Sequence, residues 1–337
     1  MVNLNPTTVF DAYWRFAAER LAMYTRRLSD PEGPWTADPI LQRFRFTNTY
    51  RACDRVTQYL LKEVQYRDDR PESGDEVFFR TLLFKIFNKV ETWELLERRL
   101  GPIVWASVDL NEVDQILTEA LSKGSRIYSA AYIMPSPDLG KVRKHSNHLM
   151  LLSRMMNDDV PKLLSQSGSL REAYQLILGY PGLGRFLAFQ YAIDLNYSTL
   201  LDFEEQDFVV AGPGALDGIS KCFEGPIRLT AEDVIHQVAE SQERHFARLD
   251  LDFDGLLGRR LMPIDCQNLF CEISKYSRVA FPDFAGSSGR TRIKQGFAQG
   301  RDPLPEPFFP PKWNLPAPAS KGGGHQYPTA RGQQQLF

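Results

Sequence analysis

Apolar residues recur at helical spacing along most of the chain. The first such stretch follows Thr7 and Thr8, two residue types that cap helices. Its apolar positions are Phe10, Tyr13, Ala17, Leu21, Tyr24 and Leu28. Further helices are predicted over 75–100, 109–122, 149–156, 169–178, 231–249 and 265–276. Strand-like alternation is scarce, and only 208–211 forms a short run. The pattern therefore predicts an all-α, multi-helix fold.

The last 52 residues, 286–337, differ from the rest because they contain eight Gly and eight Pro. Such a composition disfavours long helices and sheets. We expect a helical domain over 1–285, with any division into two lobes falling near 136–148. An extended Pro/Gly-rich segment over 286–315 should dock on it, and a disordered tail should cover 316–337. The aromatic residues available for docking are Phe297, Phe308, Phe309 and Trp313.

Charge is distributed unevenly, although 40 Lys and Arg nearly balance 42 Asp and Glu in the 337 residues. The net charge is +3 over 1–62, −8 over 201–275 and +5 over 286–337. A uniformly basic nucleic-acid binder is excluded, whereas a binder with a local basic face is not. No apolar run reaches 18 residues and no secretory signal is visible, so we expect an intracellular protein, cytoplasmic or nuclear, that has no membrane contact.

No metal or cofactor is expected. The residues Asp250, Asp252 and Asp254 match the start of a calcium-binding loop, but Leu261 stands where a bidentate Glu is needed. The pair His145 and His148 has no carboxylate or thiol close by in sequence. The four cysteines form no CxxC pair and are expected to be reduced core residues. They are Cys53, Cys222, Cys266 and Cys271.

A basic polar stripe is predicted over 47–62. If a helix begins at Thr47, five polar side chains share one face of it, opposite an apolar face. These side chains are Asn48, Arg51, Arg55, Gln58 and Lys62. Arginines can clamp phosphate oxygens bidentately, so the stripe suits a DNA backbone or a phosphorylated ligand. A solvated helix face with internal Asp54–Arg pairs is the alternative.

A second candidate is the glycine-rich turn within GYPGLGRFLAFQ, residues 179–190. It resembles the helix-hairpin-helix of DNA glycosylases, in which Gly182 and Gly184 would let backbone N–H groups approach a DNA phosphate beside Arg185. Asp207 and Asp202 follow at about the distance of the glycosylase aspartate. Phe186 stands where lyase-active members have Lys, so Schiff-base chemistry is not expected. A tight turn without a ligand is the alternative.

Residues 207–223, DFVVAGPGALDGISKCF, form a third glycine-rich stretch. The pattern G-x-x-x-x-G-K-[ST] does not occur, so no P-loop kinase is inferred. We expect Gly212, Gly214 and Gly218 to shape a loop that positions Asp207 or approaches a ligand. Lys221 is a candidate phosphate contact.

A last polar stripe is predicted on the helix that contains IDCQNLFCEISKY, residues 264–276. Asp265, Asn268, Glu272 and Lys275 fall on one face of it. In a polar pocket, a carboxylate there could act as general base while Asn268 reads a base edge. An exposed face with a Glu272–Lys275 pair is the alternative.

Six segments together resemble the helical domain found with 5-hydroxymethyl-deoxyuridine (5-hmdU) DNA kinases. They are residues 34–60, 79–96, 179–198, 207–223, 264–276 and the PPKW at 310–313. That domain is grouped with the α-glutamyl/putrescinyl thymine pyrophosphorylases, which are linked to thymine hypermodification in phage DNA. The resemblance implies a role on DNA that contains modified thymine, alongside a separate DNA kinase or a thymine dioxygenase.

Without a P-loop, the resemblance implies either a transferase or a recognition module. The transferase would replace the (pyro)phosphate of a 5-phosphomethyl-deoxyuridine-type base with an amine. Arg45, Arg51 and Arg55 would then bind the leaving phosphate. Asp207 or Asp265 would take the proton of the amine, and Asn48 or Asn268 would read the pyrimidine. The alternatives are a non-catalytic helical DNA-binding module and a glycosylase for a modified thymine.

Overall fold

The computed structural model describes residues 4–130, 133–298 and 304–316, and helices dominate that part of the chain. The prediction of an all-α fold is confirmed. The only paired strands within it are two residues long, β1 (Asn5–Pro6) and β2 (Phe223–Glu224), and they are antiparallel. The helices are α1 (Thr8–Ser29), α2 (Pro39–Arg43), α3 (Arg55–Tyr59), α4 (Gly74–Phe87), α5 (Val90–Leu100), α6 (Leu110–Ser122), α7 (Lys144–Asn157), α8 (Val160–Ser165), α9 (Leu170–Leu178), α10 (Arg185–Tyr197), α11 (Pro213–Cys222), α12 (Ala231–Glu240), α13 (Gln242–Arg248) and α14 (Pro263–Ala280).

Shorter helical turns complete the list. Two are 3₁₀ helices, Arg51–Cys53 and Pro311–Trp313, and Leu60–Gln65 is a π-helix. The chain divides into two compact units, which are described separately. Unit 1 comprises 1–54 and 208–337, and unit 2 comprises 55–207. The lobe boundary expected near 136–148 falls inside unit 2, in the loop before α7 and its first turn.

Unit 1 is built around α14, most of whose residues are buried. α1 packs on it through aromatic residues. The rings of Tyr13 and Phe270 lie 4.7 Å apart, and the Tyr13 hydroxyl donates to the carbonyl of Cys266 at 3.3 Å. Thr7 caps α1 as predicted, because its side chain accepts the N–H of Val9.

α11 lies against α14 so closely that two of its positions have room only for glycine. A Cβ at Gly218 would collide with the carbonyl oxygen of Phe270. A Cβ at Gly214 would lie 2.9 Å from the Sγ of Cys271. The expectation that these glycines shape a loop near a ligand is wrong, because both belong to a helix and serve helix–helix contact.

Unit 2 contains α3 to α10. Across the two units, three elements predicted from the sequence differ in the structure. The helix expected over 75–100 is divided at Asn88, which adopts a left-handed conformation with φ +48°. The helix expected over 231–249 is two helices that meet at Ser241. The strand expected over 208–211 is absent, and Phe208, Val209 and Val210 are buried in irregular structure instead.

The segment 286–298 contains no helix and is hydrogen-bonded to the rest of unit 1. The N–H of Ser288 donates to Asp217, and Phe44 forms an antiparallel bridge with Gly296. Further along the described chain, the Trp313 ring stacks on Phe309, and the Cζ atom of Arg259 lies 3.9 Å from the centre of the Trp313 ring. The tail predicted to be disordered falls, from 317 onward, outside the described residues.

The tight α11–α14 contact generates a stability prediction. Gly218→Ala should lower the free energy of unfolding by about 2 kcal/mol or more, because overpacking a rigid backbone contact typically costs about 1–3 kcal/mol. Chemical denaturation monitored by circular dichroism measures the loss. Gly296→Ala is the control within the same unit, because the nearest atom to its Cβ is 4.0 Å away. Equal stabilities of the two variants would contradict this account of the contact.

Candidate functional site

Carboxylates of α14 hold the segment 47–54 by its backbone in unit 1. Asp265 accepts the N–H of Arg51 at 2.9 Å through Oδ1 and that of Met262 at 3.1 Å through Oδ2. About two helical turns further along, Glu272 accepts the N–H of Thr47 through Oε2 at 3.1 Å. The segment therefore lies along the polar stripe of α14 predicted from the sequence.

We call the resulting group of charged and amide side chains the polar cluster. Its members come from α1, from the segment 47–54 and from α14, and all belong to unit 1. They are Arg20, Asn48, Arg51, Asp54, Asp265, Asn268, Glu272 and Lys275.

Arg20 is the member that the sequence reasoning missed. Its guanidinium donates to the Thr47 carbonyl at 3.0 Å and to Oδ1 of Asn48 at 2.9 Å. Burial lowers its pKa, while the negative charges of Asp54 and Glu272 act in the opposite direction. In the sequence, Arg20 stands next to Leu21 of the apolar α1 pattern. That position only weakly indicates burial, because long side chains often reach solvent from such positions.

Two carboxyl groups of the polar cluster have pKa values moved toward neutrality. Burial raises the pKa of Asp54 to about 6, and the hydrogen bond from the Asn48 N–H, 2.8 Å long, opposes this shift. Burial likewise raises the pKa of Asp265 to about 6 against its two backbone hydrogen bonds. Raised carboxyl pKa values occur at acid–base sites, and also where a carboxyl group is buried for structural reasons.

Glu272 and Lys275 form an ion pair of 2.8 Å on the side of the polar cluster that faces solvent. The Lys275 ammonium also lies 4.5 Å from the centre of the Phe46 ring. The side chains of Glu272 and Lys275 are 12 % and 18 % exposed, so both reach solvent. Asn268 is half-buried on the same stripe of α14, between Asp265 and Glu272.

The basic stripe predicted over 47–62 does not form, because no continuous helix begins at Thr47. The 3₁₀ helix Arg51–Cys53 ends at Asp54, which is extended, and α3 begins at Arg55. Arg51 is buried in unit 1. Arg55 belongs to unit 2, where it is exposed and lies 4.0 Å from Glu91. In a helix beginning at Thr47, the Arg51 N–H would bond the Thr47 carbonyl, but it bonds Asp265 instead, and that carbonyl accepts from Arg20.

Lys221 is not a surface phosphate contact, so that prediction is wrong. Its ammonium is buried, donates to the Ser274 carbonyl at 3.0 Å and to Ser277 Oγ at 3.2 Å, and lies 3.7 Å from Asp217. Asp217 in turn accepts the Ser274 hydroxyl. The pair ties α11 to α14 from within.

The glycine turn joins two neighbouring helices of unit 2, α9 and α10. Gly182 has φ +81°, a left-handed conformation that favours glycine, and Gly184 is the residue before α10. Arg185 is exposed. Asp202 and Asp207 are exposed in the same unit. The tight interhelical turn is present, and contact of Gly182, Gly184 and Arg185 with DNA stays a prediction.

Neither metal-site candidate is supported. Among the described residues, no three metal-binding side chains converge. In unit 2, the His148 ring bonds the Tyr128 hydroxyl at 2.7 Å and the Pro135 carbonyl at 2.9 Å, and burial lowers its pKa to about 4. Three of the cysteines are buried as expected, Cys271 is half-buried, and all four are free thiols. In the described part of the chain, no helix is long and apolar enough to cross a membrane.

Unit 1 also contains a cavity of about 260 Å³ with apolar walls. It is formed by α1, the loop 252–258, and the side chains of Pro307 and Phe309. No residue of the polar cluster lines it. The part of the docked segment around Phe309 thus forms one wall of a cavity. The aromatic residues of that segment predicted docking but not a cavity.

The raised pKa of Asp265 generates a prediction about stability and pH. A carboxyl group whose pKa is higher in the folded state binds protons preferentially there, so its contribution to stability falls as pH rises from about 4 to 6. At about 1.4 kcal/mol per pKa unit, the change is on the order of 3 kcal/mol. Asp265→Asn should flatten the dependence of the unfolding free energy on pH in that range. An unchanged slope in urea titrations at pH 4, 5, 6 and 7 would contradict the shift.

Comparison with known proteins supplies the family context. The family model of the 5-hmdU DNA kinase helical domain matches residues 7–286. A 5-hmdU DNA kinase of Bacillus phage SP10 is 24 % identical over 287 residues, which is 80 % of this chain and 45 % of the phage protein. The chain thus spans less than half the length of that curated relative. No solved structure matches the chain.

Proposed function

The chain belongs to the family of the 5-hmdU DNA kinase helical domain, and on that basis we propose that it acts in the hypermodification of thymine-derived bases in DNA. The pattern that binds nucleotide phosphates in P-loop kinases is absent from the 337 residues. The reaction that we propose for this domain is a displacement rather than a phosphorylation. In this reaction an amine replaces the (pyro)phosphate of a 5-phosphomethyl-deoxyuridine-type base.

The polar cluster is the observation that supports this proposal. It combines cations, carboxylates and amides on one stripe of α14 and on the segment beside it. Displacement of a phosphate needs each of these groups: a cation for the leaving oxygen, a carboxylate for the proton of the amine, and an amide to read the pyrimidine edge. The family model covers every member of the polar cluster.

The reaction forms a C–N bond between the amine and the 5-methylene carbon, and breaks the bond from that carbon to the phosphate oxygen. The phosphate leaves with the bonding electrons, and the amine loses a proton. We assign this proton to Glu272, because the Thr47 N–H and the Lys275 ammonium both bind Oε2 and neither uses Oε1. Lys275, whose ammonium lies 2.8 Å from Glu272, is assigned to the leaving phosphate.

Asp265 is assigned a positioning role, because both of its oxygens accept backbone N–H groups. It fixes the segment that contributes Asn48 to the polar cluster. Asn268 is assigned to the base edge. Asp207 is the alternative proton acceptor and lies in unit 2.

The target base must leave the double helix before this chemistry can reach it. The glycine turn of unit 2 suits a phosphate contact during that step, since it presents the N-terminus of α10 beside the exposed Arg185. This role of Gly182, Gly184 and Arg185 is part of the proposal.

A second candidate, a non-catalytic DNA-recognition module, is favoured by one specific observation. Four backbone N–H groups, those of Thr47, Asn48, Arg51 and Met262, use carboxylate oxygens of the polar cluster. A cluster whose carboxylates are engaged this way can serve to shape a surface. Such a module would work beside a DNA kinase or a thymine dioxygenase.

The proposed function predicts a product that can be measured. Purified chain is incubated with duplex DNA that contains 5-phosphomethyl- or 5-pyrophosphomethyl-deoxyuridine and with a panel of primary amines. Nucleoside digests analysed by mass spectrometry should show the amine-substituted base, with release of (pyro)phosphate. Glu272→Gln should lower the rate by about 100-fold or more, the usual contribution of a general base, and should leave DNA binding within about twofold.

The control is Glu243→Gln, which removes an exposed carboxylate elsewhere in unit 1. Binding without product for every amine would favour the recognition module and refute the transferase. Formation of abasic sites would favour the glycosylase. Full loss of activity in Asp207→Asn, with Glu272→Gln active, would move the proton acceptor to unit 2.

A further inference from the structure

Two basic segments that are far apart in sequence pair with each other in unit 1. Residues 43–45 begin at the last residue of α2, and residues 295–297 belong to the docked segment. The Arg45 N–H donates to the Gln295 carbonyl at 3.1 Å, and the Phe297 N–H donates to the Arg43 carbonyl at 2.9 Å. These bonds flank the antiparallel bridge between Phe44 and Gly296. The C-terminal positive charge is thereby fixed beside the N-terminal positive charge.

Before this pairing, the docked segment is hydrogen-bonded to α11 and then to α14. The N–H of Ser287 donates to Ser220 Oγ at 3.2 Å, and that of Ser288 donates to Asp217. Further along, Arg278 of α14 donates to the Arg292 carbonyl at 3.2 Å. The backbone of 287–297 is thus anchored at four places, although it contains no helix or long strand.

We call the exposed cations of these two segments the basic strip. They are Arg43, Arg45, Arg290, Arg292 and Lys294, and all five side chains are exposed. No acidic residue occurs in 39–47 or in 286–298. Three acids close to these segments are already bonded: Asp217 by Ser274, Lys221 and the Ser288 N–H, Glu272 by Lys275, and Asp38 by the Tyr276 hydroxyl. The exposed Asp283 precedes the docked segment.

We propose that the basic strip binds the phosphate backbone of duplex DNA and leads it along α14 to the polar cluster. The two features are continuous along the chain, because Arg45 is followed by Phe46, which contacts Lys275, and by Thr47, which bonds Glu272. This inference rests on the proposed function for the identity of the polyanion. It joins Arg45, which the sequence reading linked to phosphate, to cations of the docked segment that have no role in the reaction proposed above.

Like charges held together by backbone bonds favour a polyanionic partner. Burial lowers the pKa of Arg278, and the positive charge of Arg290 adds to this shift while Asp217 and Glu272 oppose it. Such repulsion costs free energy in the free protein and is relieved when phosphates arrive. Phosphate contacts of this kind position a protein on DNA without reading its sequence.

The test measures binding of the whole chain to an unmodified DNA duplex between 50 and 200 mM salt. Each phosphate contact contributes about 0.9 to the slope of log K against log salt. The triple variant Arg290→Gln/Arg292→Gln/Lys294→Gln should therefore lower the magnitude of the slope by about 2–3, and Arg43→Gln/Arg45→Gln by about 2. Arg244→Gln, an exposed cation on α13, is the matched control and should change the slope by less than about 0.5.

A second measurement reports contact directly. Acetylation of Lys294 by an acylating reagent should slow severalfold when duplex is bound, compared with the free chain. Slopes of the two strip variants equal to the wild-type slope, or Lys294 modified at the same rate with and without duplex, would overturn the proposal. Because the duplex is unmodified, these outcomes are independent of whether the chain forms an amine product, so the surface and the reaction can fail separately.

Discussion

The close contact between α11 and α14 is the constraint on which unit 1 depends. Gly214 and Gly218, one helical turn apart, remove the side chains that would hold the two backbones apart. The buried Lys221–Asp217 pair then bonds α11 to serines of α14. With that face of α14 covered by α11 and another by the aromatic residues of α1, the stripe from Asp265 to Lys275 is left to hold the segment 47–54. The position of the polar cluster thus depends on glycine, which has no side chain, at positions 214 and 218.

Much of the helical architecture could be predicted because it rests on local rules. The apolar spacing and the Thr7 cap indicate α1, and the stripe on α14 follows from its period. The breaks were less visible. Asn88 divides one helix by adopting a left-handed conformation, and its sequence context, between an apolar helix and Lys89, contains no Gly or Pro to announce a turn. The glycines at 212–218 predict a loop because glycine weakens helices, whereas in the structure Gly214 and Gly218 allow α11 to pack closely on α14.

The candidate site was predicted in part. The residues of the α14 stripe and Asn48 lie together as separate polar patterns suggested, but the helix expected to carry Arg51 and Arg55 does not exist. The cause is long-range: the Arg51 N–H bonds a carboxylate 214 positions later in the chain rather than the Thr47 carbonyl. The periodicity of a sequence does not predict such distant partners. The burial of Lys221 is equally long-range, because it depends on serines of α14 that lie more than 50 positions away.

The division at Asp54 and Phe208 has a consequence for the order in which the molecule is made. Unit 2 is one uninterrupted stretch, so every residue it needs has been synthesised once Asp207 is added. Unit 1 needs α14, whose first residue follows the end of α1 by more than 230 positions. The aromatic side of α1, with Phe10, Tyr13 and Trp14, therefore waits without its partner helix while the whole of unit 2 is translated. Such delayed, non-local contacts slow folding and expose apolar surface to aggregation. On the ribosome, the earliest residues of this chain are among the last to become native.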